Sequence, residues 1–369
     1  MTDVLFVSKP VAPPWNDSSK NLVRDVSTHL RRHGAVVMGS KSISQLGDAR
    51  VAAVYASKKA GSFSPTLGDN LRVLRYLAWG AKPPIWHFFF APNRRSSMAA
   101  RWAARIRAKA TVHTLCSLPP ASVSMKPLLF ADVTVALSRF AEALLLEAGV
   151  SEDRLRRVPP CVPALPVPTE AERRALRAKH DLPASAPICT YPGDLEHGDG
   201  ARIALDAFAR IPRSDAVLLM ACRDKTAAAR SCRRAARDRA GRLGVADRVQ
   251  WWGETQHIHE LLAVSDCIAL PSRSSFGKMD YPLVALEAMS MGVPVIVSAG
   301  TPAAELAVRG AAVSVEPQAE ALASAIEALL NDDEGRRDLG EVARARVADE
   351  LSPERTAEAY ERIYEELHA

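Results

Sequence analysis

Twelve residues near the middle of the chain, Val158–Thr169, read VPPCVPALPVPT and hold five prolines. Proline fixes its own φ and donates no backbone hydrogen bond, so this run is barred from the centre of a sheet and from a helix interior. It divides the 369 residues into two stretches, each long enough to bury a core. Short apolar, β-branched runs precede it: Asp3–Ser8, Ala35–Gly39, Val51–Ala56, Ile85–Phe90, Thr111–Leu115 and Val133–Leu137. They read as buried parallel strands, with helical patterns between them at Ser18–His33, Ser97–Lys109 and Ser138–Ala148.

After the prolines and a charged helix, Glu170–His180, the alternation restarts. Its strands are Ile188–Pro192, Ala216–Cys222, Val249–Gly253, Cys267–Pro271, Pro294–Ser298 and Ala312–Val315. Its helices are Ala201–Ala209, Thr226–Leu243, Pro282–Met291, Gln318–Asn331 and Asp333–Glu350, and the amphipathic helix Pro353–His368 comes last. The expected fold class is α/β, two Rossmann-like doubly wound domains facing each other across a cleft. The expected boundaries are 1–165, 166–352 and 353–369, the last segment packing back on the first domain. Ligands of such sheets bind outside the carboxyl ends of the strands.

Charge is distributed unevenly. Residues 1–180 hold 27 Lys+Arg against 12 Asp+Glu (+15), and the remaining 21 against 30 give −9, which sums to the net +6. A basic first half suits an anionic acceptor or an anionic lipid surface, alongside the plainer reading of solvated helix faces. No nucleic-acid motif accompanies the charge. Six scattered cysteines without a CxxC suit a reducing cytoplasm better than a disulfide framework or a zinc site. No apolar run reaches membrane-spanning length, and Met1–Lys9 reads as a strand rather than a signal peptide.

Chemistry concentrates in Pro271–Leu306, PSRSSFGKMDYPLVALEAMSMGVPVIVSAGTPAAEL. It reads as strand end, loop, helix, strand, loop, helix. Helix N-termini present unpaired N–H groups to anions. Phe276-Gly277 supplies a turn, Lys278 a point charge, and Glu287 and Glu305 fall near two helix starts, where carboxylates can take sugar hydroxyls or simply cap and solvate.

This segment resembles the donor-binding signature of glycosyltransferase family 4, retaining enzymes of the GT-B fold. The resemblance rests on Pro271-Ser272, Phe276-Gly277, Leu283-Val284, Leu286-Glu287-Ala288-Met289, Gly292-Val293-Pro294-Val295 and Glu305. Val135–Gly149, Tyr191–Phe208 and Leu243–Gly253 are similar to other family stretches. The resemblance implies transfer of a sugar from a UDP- or GDP-sugar to a hydroxyl acceptor (a glycan, lipid or metabolite), with retention and with no protein-bound metal or cofactor. Glu287 then binds the ribose, Glu305 lies near the nucleotide, Gly193 follows the first strand of the donor domain, and His113 sits at a strand end beside the sugar.

The chain departs from the family pattern at the diphosphate. Asp194 follows Gly193 where an Arg is usual, Asp199 takes the place of a Lys, and Met279 stands eight before Glu287 where the family has an acid. Lys278, Arg273 or Arg223 is the candidate replacement cation, Lys278 first among them; Asp280 is the candidate replacement for the acid, or else Ser274 occupies its place. The first-domain loop departs as well: Trp15, Asn16, Asp17, Ser18 and Lys20 replace a Gly-rich turn and are the acceptor-side candidates. Asp17 or Ser18 also suits a helix cap, and Trp15 a stacking platform or a core anchor. His87 reads as a core histidine, and His257 and His259 as surface helix. The basic helix Asn93–Lys109 is a candidate for peripheral contact with a membrane, its apolar face weakened by a single Trp102. A donor-dead GT-B binding protein and another GT-B enzyme, such as a nucleotide-sugar epimerase, remain alternatives. A dinucleotide dehydrogenase is disfavoured, since no GxGxxG follows an early strand.

Overall fold

The computed structural model describes residues 2–40, 42–56, 66–119, 122–224, 226–253, 255, 257–274 and 278–368. They form two compact α/β units. The first runs to Val162 and takes in residues 278–280 and 351–368; the second comprises the described residues of Pro163–Ser275 and Tyr281–Glu350.

The first sheet has strands β1 (Asp3–Val7), β2 (Gly34–Ser40), β3 (Gln45–Leu46), β4 (Ala49–Tyr55), β5 (Ile85–Phe90), β6 (Ala110–Leu115), β7 (Val133–Ala136) and β8 (Leu155–Arg157). Their order is β3-β4-β2-β1-β5-β6-β7-β8, parallel except for the short β3–β4 pair. The order reverses direction between β1 and β5. Both faces of the sheet are covered, so its central strands are buried almost continuously: Val4 to Val7 and Ile85 to Phe89 have little or no exposed surface. Ala100, Ala103 and Ala104 of the helix Arg94–Arg107 pack with Leu5, Trp86 and Phe88 on one side. Helix Pro353–Glu366 presents Tyr360 and Tyr364, both fully buried. Tyr364 Oη lies 2.6 Å from His87 Nδ1, and Tyr360 Oη 3.0 Å from Thr114 Oγ1.

The second sheet has strands β9 (Ile188–Tyr191), β10 (Val217–Ala221), β11 (Val249–Trp252), β12 (Cys267–Leu270), β13 (Val295–Ser298) and β14 (Val313–Val315). The order is β11-β10-β9-β12-β13-β14 and every pair is parallel. All carboxyl ends therefore share one edge, and the reversal of order falls between β9 and β12. A core of Tyr191, Ile203, Phe208, Leu218, Met220 and Ile326 fills one side of this sheet.

The structure adds elements to the expected alternation. β3, β8 and the helix Leu67–Arg75 are present, His259 lies in the helix Ile258–Val264, and the first helix ends at Ser27 with Thr28 as its C-cap.

Candidate functional site

The loops at the carboxyl edge of the second sheet are built around Tyr191, the last residue of β9. Its buried ring runs under the following loop and its hydroxyl donates to Asp194 O at 2.8 Å. A Cβ on Gly193 would lie 2.2 Å from that ring, and one on Gly200 would lie 2.4 Å from Pro271 O. Glycine at both positions lets the β9 loop close against the end of β12. Arg273 N–H donates to Gly198 O at 2.9 Å, and Ser272 N–H donates to Ser298 Oγ at 2.7 Å. The loops after β9, β12 and β13 are thus tied together across the reversal of strand order, where doubly wound sheets bind ligands.

Most helix starts at this edge lack a side-chain cap, those behind His257 and Gln318 included. Helix Gly200–Phe208, helix Leu283–Ser290 and the 3₁₀ segment Pro302–Gly310 begin without a side-chain cap, behind Asp199, Pro282 and Thr301. The helices after β1, β4, β5 and β7 in the first unit are capped by Asp17, Thr66, Asn93 and Ser138. Helix Ala227–Arg242 of the second unit is capped by Thr226. An uncapped start leaves its first N–H groups and the positive end of the helix dipole to a ligand or to water.

Glu287 lies in the second turn of helix Leu283–Ser290, mostly buried, with His259 Nε2 3.5 Å away. Glu305 accepts from Tyr281 Oη at 2.7 Å, which joins the entries of the two segments that carry the glutamates. Arg346 holds the Glu305 segment from below: its Nη1 donates to the carbonyls of Glu305 (2.9 Å), Leu306 (2.7 Å) and Val308 (3.2 Å). Arg223 is half-buried in the loop after β10.

Several sequence expectations are revised. Phe276 and Gly277 lie outside the described residues. Lys278 and Asp280, expected in the donor loop, group with the first unit. Asp280 is buried there and accepts from Ser138 Oγ at 2.6 Å, the same hydroxyl that caps helix Arg139–Glu147. Asp199, expected as an uncompensated acid, is paired with Arg202 at 3.0 Å and Arg273 at 3.8 Å. Both pairs are solvent-exposed, so they offset its charge only in part. His259 is exposed on a helix as expected, and it is also a neighbour of Glu287; nothing in a separation of 28 positions announces that pair.

His113 is not at a strand end. It lies within β6 with no exposed surface, its ring 4.3 Å from that of Phe90 and 5.0 Å from that of Phe130. Burial holds its pKa down to about 3, against the opposing pull of the Phe90 carbonyl. The ring is neutral; Nε2–H donates to Phe90 O at 3.1 Å, which leaves the lone pair on Nδ1. That Nδ1 is buried and has no hydrogen-bond partner among the described residues. His87 is a buried core histidine, bonded on both ring nitrogens.

The acceptor-side candidates sit in the loop after β1. Trp15 is half-buried with the Arg24 guanidinium 5.0 Å from its ring centre. Lys20 Nζ donates to Ala12 O and Pro14 O, both at 2.7 Å, and so braces the loop. Asn16 is half-buried, Ser18 is the exposed first residue of the helix, and Asp17 caps it. Among the described residues no group of three or more His, Cys, Asp and Glu is arranged to hold a metal ion.

Residues 172–346 match the family model described as Glycosyl transferases group 1. A D-inositol 3-phosphate glycosyltransferase of Xylanimonas cellulosilytica is 32% identical over 185 residues, 46% of this chain and 40% of that protein. An N-acetyl-alpha-D-glucosaminyl L-malate synthase of Bacillus anthracis is 36% identical over 125 residues, 33% of this chain and 32% of that protein. The matched stretches thus span well under half the length of these relatives. Among solved structures, Anabaena Alr3699/HepE in complex with UDP and glucose superposes with a TM-score of 0.79 at 18% identity over all of both chains. Sucrose-phosphate synthase from Thermosynechococcus elongatus gives 0.77 at 21% identity over all of this chain and 99% of that one. The architecture is the two-domain α/β GT-B fold.

Proposed function

We propose that the protein is a retaining glycosyltransferase of family 4, taking a sugar from a UDP- or GDP-sugar and giving it to a hydroxyl acceptor; the match of residues 172–346 to the glycosyl transferases group 1 model supports this reading. The observation that carries this reading is the edge of the second sheet. Uncapped starts of the helices Gly200–Phe208 and Leu283–Ser290 flank the reversal between β9 and β12. The first unit offers no such start after β1, β4, β5 or β7. Backbone N–H groups and helix dipoles suit a diphosphate and stabilise the charge that grows on it as the glycosidic bond breaks.

In this proposal Glu287 and Glu305 take nucleotide hydroxyls, Glu287 those of the ribose. Arg223 and Arg273, both in loops of the second unit, replace Lys278 as the cations for the diphosphate. Asp280 becomes a support for the Ser138 helix cap rather than a donor contact. The first unit presents the acceptor through Trp15, Asn16, Asp17, Ser18 and Lys20. His113, neutral and fully buried within β6, supports the first sheet from inside in this proposal and is not a general acid. Transfer runs without a protein-bound metal.

A thermal-shift titration tests the proposal. UDP or GDP should raise the melting temperature, the stabilisation reaching about 2.7 kcal/mol at a hundred times Kd. Glu287→Gln should weaken that response at least about tenfold, the worth of one charged hydrogen bond. If no nucleoside diphosphate shifts the melting, the donor reading fails.

A further inference from the structure

The first unit carries apolar surface that sugar transfer does not use. On helix Arg94–Arg107, Met98, Trp102 and Ile106 are 66%, 58% and 59% exposed. They fall at i, i+4 and i+8, so they line one stripe. The segments Leu67–Arg75 and Tyr76–Gly80 run on as one helical stretch, and Leu67, Leu71 and Trp79 on it are 82%, 67% and 77% exposed. These positions are also multiples of four apart, with the exposed Arg75 at the place between Leu71 and Trp79. The two stretches adjoin: Leu77 shares an apolar cluster with Ala100, Ala103 and Ala104, and Arg107 Nη2 donates to Ala81 O at 3.4 Å. The sequence alone shows one weak stripe with a single Trp; the fold places a second beside it.

Charge identifies the occupant. Residues 66–109 contain nine Lys and Arg and one acid, Asp69. Asp69 is buried and paired with Arg72 at 3.0 Å. A partner for this surface must offer apolar depth and negative charge together. Tryptophans and aliphatic side chains enter the headgroup–acyl boundary, while arginines on long stems reach lipid phosphates. We infer that the outer faces of Leu67–Gly80 and Arg94–Arg107 form a docking surface for an anionic lipid bilayer, which would place the proposed acceptor side of the molecule at a membrane.

Vesicle sedimentation of the full chain at low ionic strength tests this. The protein should pellet with vesicles of equal parts phosphatidylcholine and phosphatidylglycerol, stay in solution with phosphatidylcholine alone, and be released by salt. The Trp79→Ser/Trp102→Ser variant should bind the anionic vesicles about tenfold more weakly or worse, because both rings leave the interface. Arg95→Gln/Arg105→Gln should weaken binding and flatten its salt dependence. All four side chains are exposed, so unchanged melting temperatures and an unchanged nucleotide response establish that the variants are folded. The inference is overturned by an absence of vesicle binding or by full binding of the Trp variant. It is equally overturned by lipid-free self-association that the Trp substitutions abolish, since the face is then an interface between copies.

Discussion

Lys9 Nζ, Ser19 Oγ and the backbone N–H of Lys20 all donate to the Asp17 carboxylate, at 2.8, 2.6 and 3.2 Å. Burial raises the pKa of this group, but the Lys9 charge and the three hydrogen bonds outweigh it and bring the value down to about 2 from 3.8. A depressed folded-state value means stability that is present above the unfolded pKa and lost as pH falls through the folded one. Asn also caps helices, so Asp17→Asn removes the charge and spares the cap. It should cost roughly 2 kcal/mol at neutral pH, and the gap should close between about pH 4 and pH 2. Urea denaturation across that range measures it, and a pH-independent gap would show that the charge is not the source. Charge compensation is also where sequence reading reaches its limit. Asp199 looks like an obstacle to phosphate because Arg273, one of its two partners, is 74 positions away. Arg202, three residues on, is visible as a partner only once the helix start is known.

Helices and strands follow from burial, so most of them were legible. β9, β10, β12 and β13 are buried on both faces and read as apolar runs broken only by Thr190 and Ser298, and the proline linker marks the place where one sheet ends. The helix Leu67–Arg75 escaped because its apolar residues Leu67, Leu71 and Leu74 do not all face inward; two of them lie in the open. What holds an element in place was less legible than its existence. Arg346 sits on helix Asp333–Glu350, 41 residues from Glu305, and its Nη1 is shared among three carbonyls of the Glu305 segment. Cationic donors at a helix end serve the orphan carbonyls there. Arg346→Met keeps the packing of the stem and loses these bonds. It should lower stability by about 2 kcal/mol, and it should weaken the UDP or GDP thermal shift, because Glu305 is no longer held. A variant that melts lower yet binds nucleotide as tightly as wild type would separate Glu305 from the donor site.

At the scale of the whole molecule, chain order and compact units do not coincide. The chain leaves the first unit at Val162, touches it again at residues 278–280 and returns for good at Leu351, so the last helix is a late-arriving part of the first core. Its anchors are polar as well as apolar. Glu361 is buried and accepts the backbone N–H groups of Arg31 (2.9 Å), Arg32 and His33 (3.0 Å), while Tyr364 and Tyr360 reach His87 and Thr114 of the first sheet. An amphipathic helix after a finished strand set can be read from sequence, but the partners it meets more than 240 residues earlier cannot. Two cores of this kind should unfold as separate calorimetric transitions. Ending the chain at Glu350 removes the tyrosines, leaves three backbone donors without their acceptor and strips the core histidine His87 of one of its two partners. The transition of the first unit should then fall steeply or vanish. The transition that UDP or GDP raises should persist, because every residue of the proposed donor site lies in the second unit. If truncation removes the nucleotide-responsive transition instead, the helix belongs to the stability of the donor side and the division of labour between the units is wrong. Glu361→Gln gives the graded form of the same test. The neutral amide can still accept at its oxygen but has lost the charge, so the first transition should shift down by less than the truncation shifts it, with the second unchanged.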